Sequence, residues 1–270
     1  MPRLPAPPLP KILQPKPKKP GDNGAGLSPV EGAIDGGITA VDWIDERTSL
    51  SPTVRWLLFR KVPRGTNWAY TLGSATLFAF LNQAVTGVFL AMRYRPDVTG
   101  GAYESIRHIT DDVFLGQFVR GMHLWGASVM VILIFLHMAR VFFYGAYKYP
   151  RELTWVIGVV LLILTMAMAF TGYLLPFNQR AYWATIVGVN INGTGPIIGP
   201  FLSDFLRAGP EFGATTLSRF YAIHMLLLPG AIVALIGAHL YLVAKLGTTA
   251  PPWAKPYEDE PALVRETTEV

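Results

Sequence analysis

The chain has 270 residues, of which 51% are apolar and 15% charged, and its mean hydropathy is positive, so it is read as an integral membrane protein rather than a soluble enzyme. It contains no cysteine, which excludes disulfides, thiolate metal sites, iron–sulfur ligation in this chain and thioether-linked haem. The net charge of +5 comes with a Lys- and Arg-rich N-terminus and is read as membrane topology, not nucleic-acid binding.

Residues 1–40 are rich in Pro, Gly and Lys and lack the apolar core of a signal peptide. They are expected to be a disordered cytoplasmic extension. Residues 41–62 carry Val41, Ile44, Thr48, Val54, Leu57 and Leu58 at helical spacing. This predicts an amphipathic helix at the membrane surface, interrupted near Pro52. Residues 63–247 hold the main domain, and 248–270 form a cytoplasmic tail. The expected fold is all-α and integral to the membrane, a four-helix bundle. Its spans run over about 68–92, 121–144, 153–176 and 220–246, each long enough to cross a bilayer.

The second span contains His123 and His137, fourteen residues apart. On a straight helix that separation brings them within about 40° of one face and about 21 Å apart along the axis. The fourth span repeats the arrangement with His224 and His239, fifteen apart and about 60° from alignment. Four of the five histidines therefore form two pairs inside apolar segments. Polar side chains are costly there and signal function. An isolated histidine of this kind is readily explained as a buried ring bonded to backbone. Two matched pairs point instead to axial ligation of two haems, each iron taking one imidazole from each helix. Filling both axial positions suits electron transfer and leaves no open site for oxygen.

Lys plus Arg counts orient the spans. The segments before the first, between the second and third, and after the fourth hold 10, 3 and 3; the other two connections hold 4 and 3. The excess places both termini inside. The second and fourth spans then run parallel, so His123 pairs with His224 near the outer face and His137 with His239 near the inner face.

The other two spans echo this period. Gly73 and Gly87 are fourteen apart, as are Gly158 and Gly172. Missing side chains let a macrocycle edge approach the backbone, although small residues also serve ordinary helix packing in membranes. Gly87 and Gly172 would belong to the outer haem, Gly73 and Gly158 to the inner. Arg120 and Arg140 each lie one helical turn beyond a histidine, towards the nearer membrane face. They are candidates for haem propionates or, equally in kind, snorkelling arginines. His108, near Asp111 and Asp112, lacks a partner at the haem spacing and is read as a surface histidine.

The connection between the third and fourth spans is long. Pro176 ends the third helix, Ala181–Val189 is apolar and aromatic, and Pro200–Arg207 reads as a short helix. A lid of this kind above an outer haem would make a pocket for a quinone ring. On the residues alone, a loop packed on the bundle is the simpler reading.

The stretches RGMHLWGASVMVILIFLHMAR, YPRELTWVIGVVL, TGYLLPFNQRAYWAT and LSRFYAIHMLLLPG resemble the N-terminal four-helix half of cytochrome b, over roughly residues 40–250. The fifteen-residue histidine interval and the ending after four spans resemble the split form, cytochrome b6. The resemblance implies two non-covalent, bis-histidine b-type haems: His123 and His224 on a low-potential haem, His137 and His239 on a high-potential one. It implies Arg120 and Arg140 at propionates, and Tyr173, Pro176, Trp183 and Ala184 at an outer quinol-oxidation site. It implies a subunit of a proton-translocating quinol:cytochrome c oxidoreductase, not active alone, in a bacterial plasma membrane. Implied partners are membrane lipid, a C-terminal cytochrome b half resembling subunit IV, a Rieske iron–sulfur protein and a cytochrome c-type subunit, in a homodimeric complex.

Two departures matter. The b6 pattern has a haem-tethering cysteine near the start of the first span, whereas NWAYTLGS places Thr71 there. This favours a respiratory complex over a photosynthetic one. The family's C-terminal quinol motif is absent, and Pro210-Glu211-Phe212 lies in the wrong loop to replace it. Ala184 stands where unsplit sequences commonly carry glycine, so inhibitors needing that space should bind weakly. The rival readings are a dihaem membrane anchor of a dehydrogenase or hydrogenase, and a haem-free transporter with histidine proton relays.

Overall fold

The computed structural model describes residues 63–254 together with Trp43 and Arg47. The expectations for residues 1–40 and for the tail beyond Ala254 lie outside these. Of the segment 41–62, only Trp43 and Arg47 are described; both are helical, and the Arg47 guanidinium lies 4.1 Å from the centre of the Trp43 ring.

The described residues 63–254 form helices and connections, without strands. A 3-10 turn at Trp68–Thr71, begun by Asn67 accepting from the Ala69 N–H, leads into α1 (Leu72–Ala91). Then come α2 (Gly101–Asp111), α3 (Gly116–Phe143) and α4 (Glu152–Leu174). The long connection folds into α5 (Gln179–Gly193) and α6 (Gly199–Arg207). The last span comprises α7 (Ala214–Ala222), a π turn (Ile223–Leu227) and α8 (Leu228–Leu246).

Four helical stretches are long and apolar enough to cross a membrane: Trp68–Ala91, Gly116–Phe143, Glu152–Leu174 and Ala214–Leu246. Their apolar faces are mostly not covered by the chain itself: only 6% of the most apolar window of α4 is buried. Lipid or other subunits must cover such faces. The protein is a multi-pass membrane protein.

Local chemistry sets the ends. Asn178 caps α5 by accepting from the Ala181 N–H at 2.9 Å. Gly247, at φ +72°, ends α8 in a conformation that a side chain would disfavour. Arg151 donates to the carbonyls of Leu246 and Gly247, tying the start of α4 to the end of α8.

The boundaries differ from the expected ones in instructive ways. α3 starts at Gly116 rather than 121, so Arg120 is inside the helix. α4 ends at Leu174, ahead of Pro176. The fourth span starts at Ala214, because Gly213 and Thr216 satisfy its first turn. α2 was not anticipated, since its polar, amphipathic sequence carries no membrane-length signal.

The four spans pack chiefly as two pairs, α1 with α3 and α4 with α8. Gly126 lets α1 close on α3: a Cβ there would meet the Asn82 and Gln83 amides. Each pair therefore joins a span with two spaced glycines to a span with two spaced histidines, His224 lying in the π turn just before α8. Halfway between the histidine levels, an apolar layer of Ala79, Phe80, Met130, Ile134 and Ile232 fills the bundle. A second core, with Tyr94, Leu174, Val189, Leu206, Leu217 and Phe220, packs α2, α5, α6 and α7 over the His224 end of the bundle. There the Tyr94 hydroxyl donates to the Leu175 carbonyl at 2.6 Å, and burial raises its pKa above the usual phenol value.

Candidate dihaem and quinone site

The four paired histidines fall at two levels. The His123 and His224 rings face each other with centroids 6.5 Å apart and planes at 75°. His239 lies within electrostatic reach of His137. α3 and the last span therefore run in the same direction, and their first histidines share one level and their second histidines another.

Each of the four glycines stands against one histidine. A Cβ on Gly87 would lie 3.2 Å from Cε1 of His123, and one on Gly172 would lie 2.5 Å from Cε1 of His224. At the other level the corresponding distances are 3.1 Å from Gly73 to His137 and 3.5 Å from Gly158 to His239. The space a side chain would fill is thus taken by the imidazole itself.

The ring nitrogens of the first level have defined partners. His224 Nδ1 lies 3.1 Å from the Met168 carbonyl, which can only accept, so Nδ1 carries the proton. Nε2 is then free to bind a metal. Thr171 Oγ1 is 3.2 Å from the same nitrogen. On the other helix pair, Thr86 Oγ1 lies 2.9 Å from His123 Nδ1, and the Gln83 backbone carbonyl stands beside that ring. The Gln83 side-chain amide, turned to accept from the Ala127 N–H at 3.0 Å, donates to the His123 carbonyl at 2.9 Å and lies 3.3 Å from Nδ1. None of these partners was singled out in the sequence. Thr86-Gly87 and Thr171-Gly172, identical dipeptides fourteen-periodic with the other glycines, were the available signal.

The second level is different. His239 Nδ1 is buried without a hydrogen bond; the Thr154 backbone faces it but does not close one. Arg140 lies 3.6 Å over the Tyr70 ring and 5.3 Å from that of Tyr144. Its Nε and Nη2 are buried and unpartnered, as is the Tyr70 hydroxyl. Buried donors of this kind are rare unless something accepts from them. Two guanidinium N–H groups match the geometry of a carboxylate. Tyr70 is a residue the sequence reading missed.

Arg120 lines a polar cavity of about 270 Å³ with Arg107, Asp111, Pro176 and Asn178, and donates to Thr110 Oγ1 at 3.3 Å. His108 is exposed and pairs with Asp112 at 2.9 Å, away from both levels. Thr71 sits in the 3-10 turn, its hydroxyl donating to the Trp68 carbonyl.

The four residues expected at a quinol site are divided. Tyr173 and Ala184 line one apolar groove of about 380 Å³, with Phe170, Thr185, Gly188 and Ile191. Pro176 lines the polar cavity beside Arg120 instead. Trp183 is exposed and donates through Nε1 to Gln179. Ala184, Gly188 and Ile191 form one helical stripe. The apolar segment expected from the sequence ends at Val189 and leaves Ile191 out of this stripe.

Over most of its length the chain is similar to known proteins. The family described as Cytochrome b/b6/petB matches residues 58–247. The menaquinol:cytochrome c reductase cytochrome b subunits of Geobacillus thermodenitrificans and Bacillus subtilis (strain 168) are each 42% identical over 218 residues, covering 78% of this chain and 97% of theirs. Cytochrome b6 of Heliobacterium modesticaldum is 40% identical over 213 residues, covering 78% of this chain and all of its own. A solved structure described as a hyperthermophilic respiratory Complex III matches with a TM-score of 0.74 and 31% identity, over 82% of this chain and 59% of that one. The chain spans less than two thirds of that structural relative. With paired histidines at two levels, facing glycines and more than half its length matched, this chain belongs to the cytochrome b/b6 family.

Proposed function

We propose that this chain is the dihaem cytochrome b subunit of a menaquinol:cytochrome c reductase in a bacterial plasma membrane. It would carry electrons between an outer quinol-oxidation site and an inner quinone-reduction site, contributing to a proton gradient. The observation that carries the reading is the matched geometry of the two levels: two histidines on parallel helices, each cleared by a glycine.

The residues present fit a haem. A ring bonded to a metal at about 2 Å has its centroid about 3 Å from that metal. Two rings 6.5 Å apart therefore accommodate one iron between them. His123 and His224 would hold one haem, His137 and His239 the other. When bound, a bis-imidazole haem supplies one-electron transfer with no open coordination position.

The chain's own groups do the rest. The Met168 carbonyl accepts from His224 Nδ1–H and so leaves Nε2 unprotonated for a metal. Arg140, lying over the Tyr70 ring, presents buried N–H donors for a propionate. Arg120 faces a polar cavity that would take the propionates of the other haem. The apolar layer at Met130 and Ile232 keeps water from between the two levels. Tyr173 and Ala184 border the groove proposed to receive the quinol ring. A proton acceptor and the oxidising iron–sulfur centre come from partners: a Rieske protein, a cytochrome c-type subunit and a C-terminal cytochrome b half, in a dimeric complex.

A dithionite-minus-oxidised spectrum with redox titration of the purified complex tests this. Two b-type components are expected. His123→Ala and His224→Ala should remove the same one, and His137→Ala and His239→Ala the other. A wild-type complex without haem absorbance would sink the proposal.

A further inference from the structure

The two levels differ at the residue before each glycine. Next to His123 and His224 it is threonine, Thr86 and Thr171; next to His137 and His239 it is Leu72 and Ile157. Both threonine hydroxyls donate their single proton along their own helix, Thr86 to the Asn82 carbonyl at 2.6 Å and Thr171 to the Ala167 carbonyl at 2.8 Å. Each oxygen is thereby left to accept, at 2.9 Å from His123 Nδ1 and 3.2 Å from His224 Nδ1. The threonines are buried. At the other level, no hydroxyl of the described residues bonds to either ring, and His239 Nδ1 has no partner.

We propose that Thr86 and Thr171 are positioning residues that add a second acceptor, beside the Gln83 and Met168 carbonyls, at the Nδ1–H of both outer-haem histidines and so lower the reduction potential of that haem alone. The proposal rests on the dihaem reading above. An acceptor at Nδ1–H makes the imidazole a stronger donor through Nε2. A stronger donor favours the ferric iron, so the acceptor lowers the potential and its removal raises it. The asymmetry between two otherwise matched ligand sets is then built into the chain as two hydroxyls on one level.

The test is redox titration of the complex carrying Thr86→Val, Thr171→Val, both, and the serine replacements. The component lost in His123→Ala should shift to higher potential in each valine variant, and further in the double. The expected size is up to about tenfold in its reduction equilibrium, which is 59 mV for one electron. Serine should restore the wild-type value, and the second component should stay in place. Ile157→Thr supplies the converse, a hydroxyl beside His239, and should lower the second component only. Unmoved potentials in the valine variants, or both components moving together, would overturn the proposal. If the valine variants fail to assemble, Ile157→Thr decides, and an unmoved second component overturns it. A wild-type complex with no second component would instead remove the dihaem reading itself.

Discussion

At the scale of single residues, the glycines grade the site. A methyl on Gly172 would lie 2.5 Å from the His224 ring, inside any real contact, whereas one on Gly158 would lie 3.5 Å from that of His239, an ordinary contact. Gly172→Ala must therefore displace the ring, at about 1–3 kcal/mol for overpacking. It is expected to abolish the His224 haem component in reduced-minus-oxidised spectra, while Gly158→Ala keeps both. The guanidinium of Arg140 makes a second case. Replacing it with methionine removes two buried donors that a propionate would accept from. Hydrogen bonds to charged groups contribute about 1.5–3 kcal/mol each. The His137 component should bind haem at least about tenfold more weakly, read by haem loss on dilution in detergent. Ala184→Gly should widen the groove beside Tyr173 and tighten binding of quinol-site inhibitors, measured as inhibition of quinol oxidation.

At the scale of elements, the last span resolves a mismatch in spacing. His224 and His239 are fifteen residues apart, against fourteen in α3. The structure places a π turn at Ile223–Leu227, closed by Leu228 N–H donating to the Ile223 carbonyl five residues back. Such a turn absorbs one residue, so the interval behaves as fourteen helical steps and both helices present their histidines alike. Pro229 is its physical cause: its ring clashes with the carbonyl four residues back, and the missing N–H breaks the regular ladder. Deleting Leu226 together with Pro229→Ala should then keep both haem components. Inserting one alanine after Met130 turns His137 by about 100° from His123 and should cost one of them. Both outcomes are read from the visible spectrum. The Arg151 bonds to Leu246 and Gly247 supply another element-scale expectation. Arg151→Met should lower the thermal unfolding midpoint, having lost about 1–2 kcal/mol at the C-terminal end of α8.

At the scale of the whole molecule, two helix pairs enclose two histidine levels with an apolar layer between them. The orientation of this bundle is set by the Lys and Arg of its connections, and it is open to direct measurement because the chain has no cysteine. Glu211 and Lys148 are exposed in connections at opposite ends of the bundle. Glu211→Cys should react with an impermeant maleimide added to intact cells, and Lys148→Cys only after the membrane is opened. The reverse pattern would invert the assignment of outer and inner levels.

The sequence by itself determined the four spans, because apolar runs of bilayer length have one stable form in lipid. It determined the histidine pairs and the glycine period as well, since spacing on a helix converts directly into angle and height. The family resemblance was likewise carried by residues readable in order. What the tertiary structure alone decided is which groups meet across helices. Thr86 and Thr171 reach Nδ1 of His123 and of His224 only because α1 closes on α3 and α4 on the last span. Tyr70 lies under Arg140 because a 3-10 turn precedes α1. Pro176 and Trp183 are adjacent in sequence to the groove of Tyr173 and Ala184 yet stand outside it: Pro176 lies in the turn between α4 and α5, beside the polar cavity, and Trp183 bonds to Gln179 on the exposed side of α5. Periodicity fixes the face a residue occupies on its own helix; the neighbour that face receives depends on packing between segments distant in the chain.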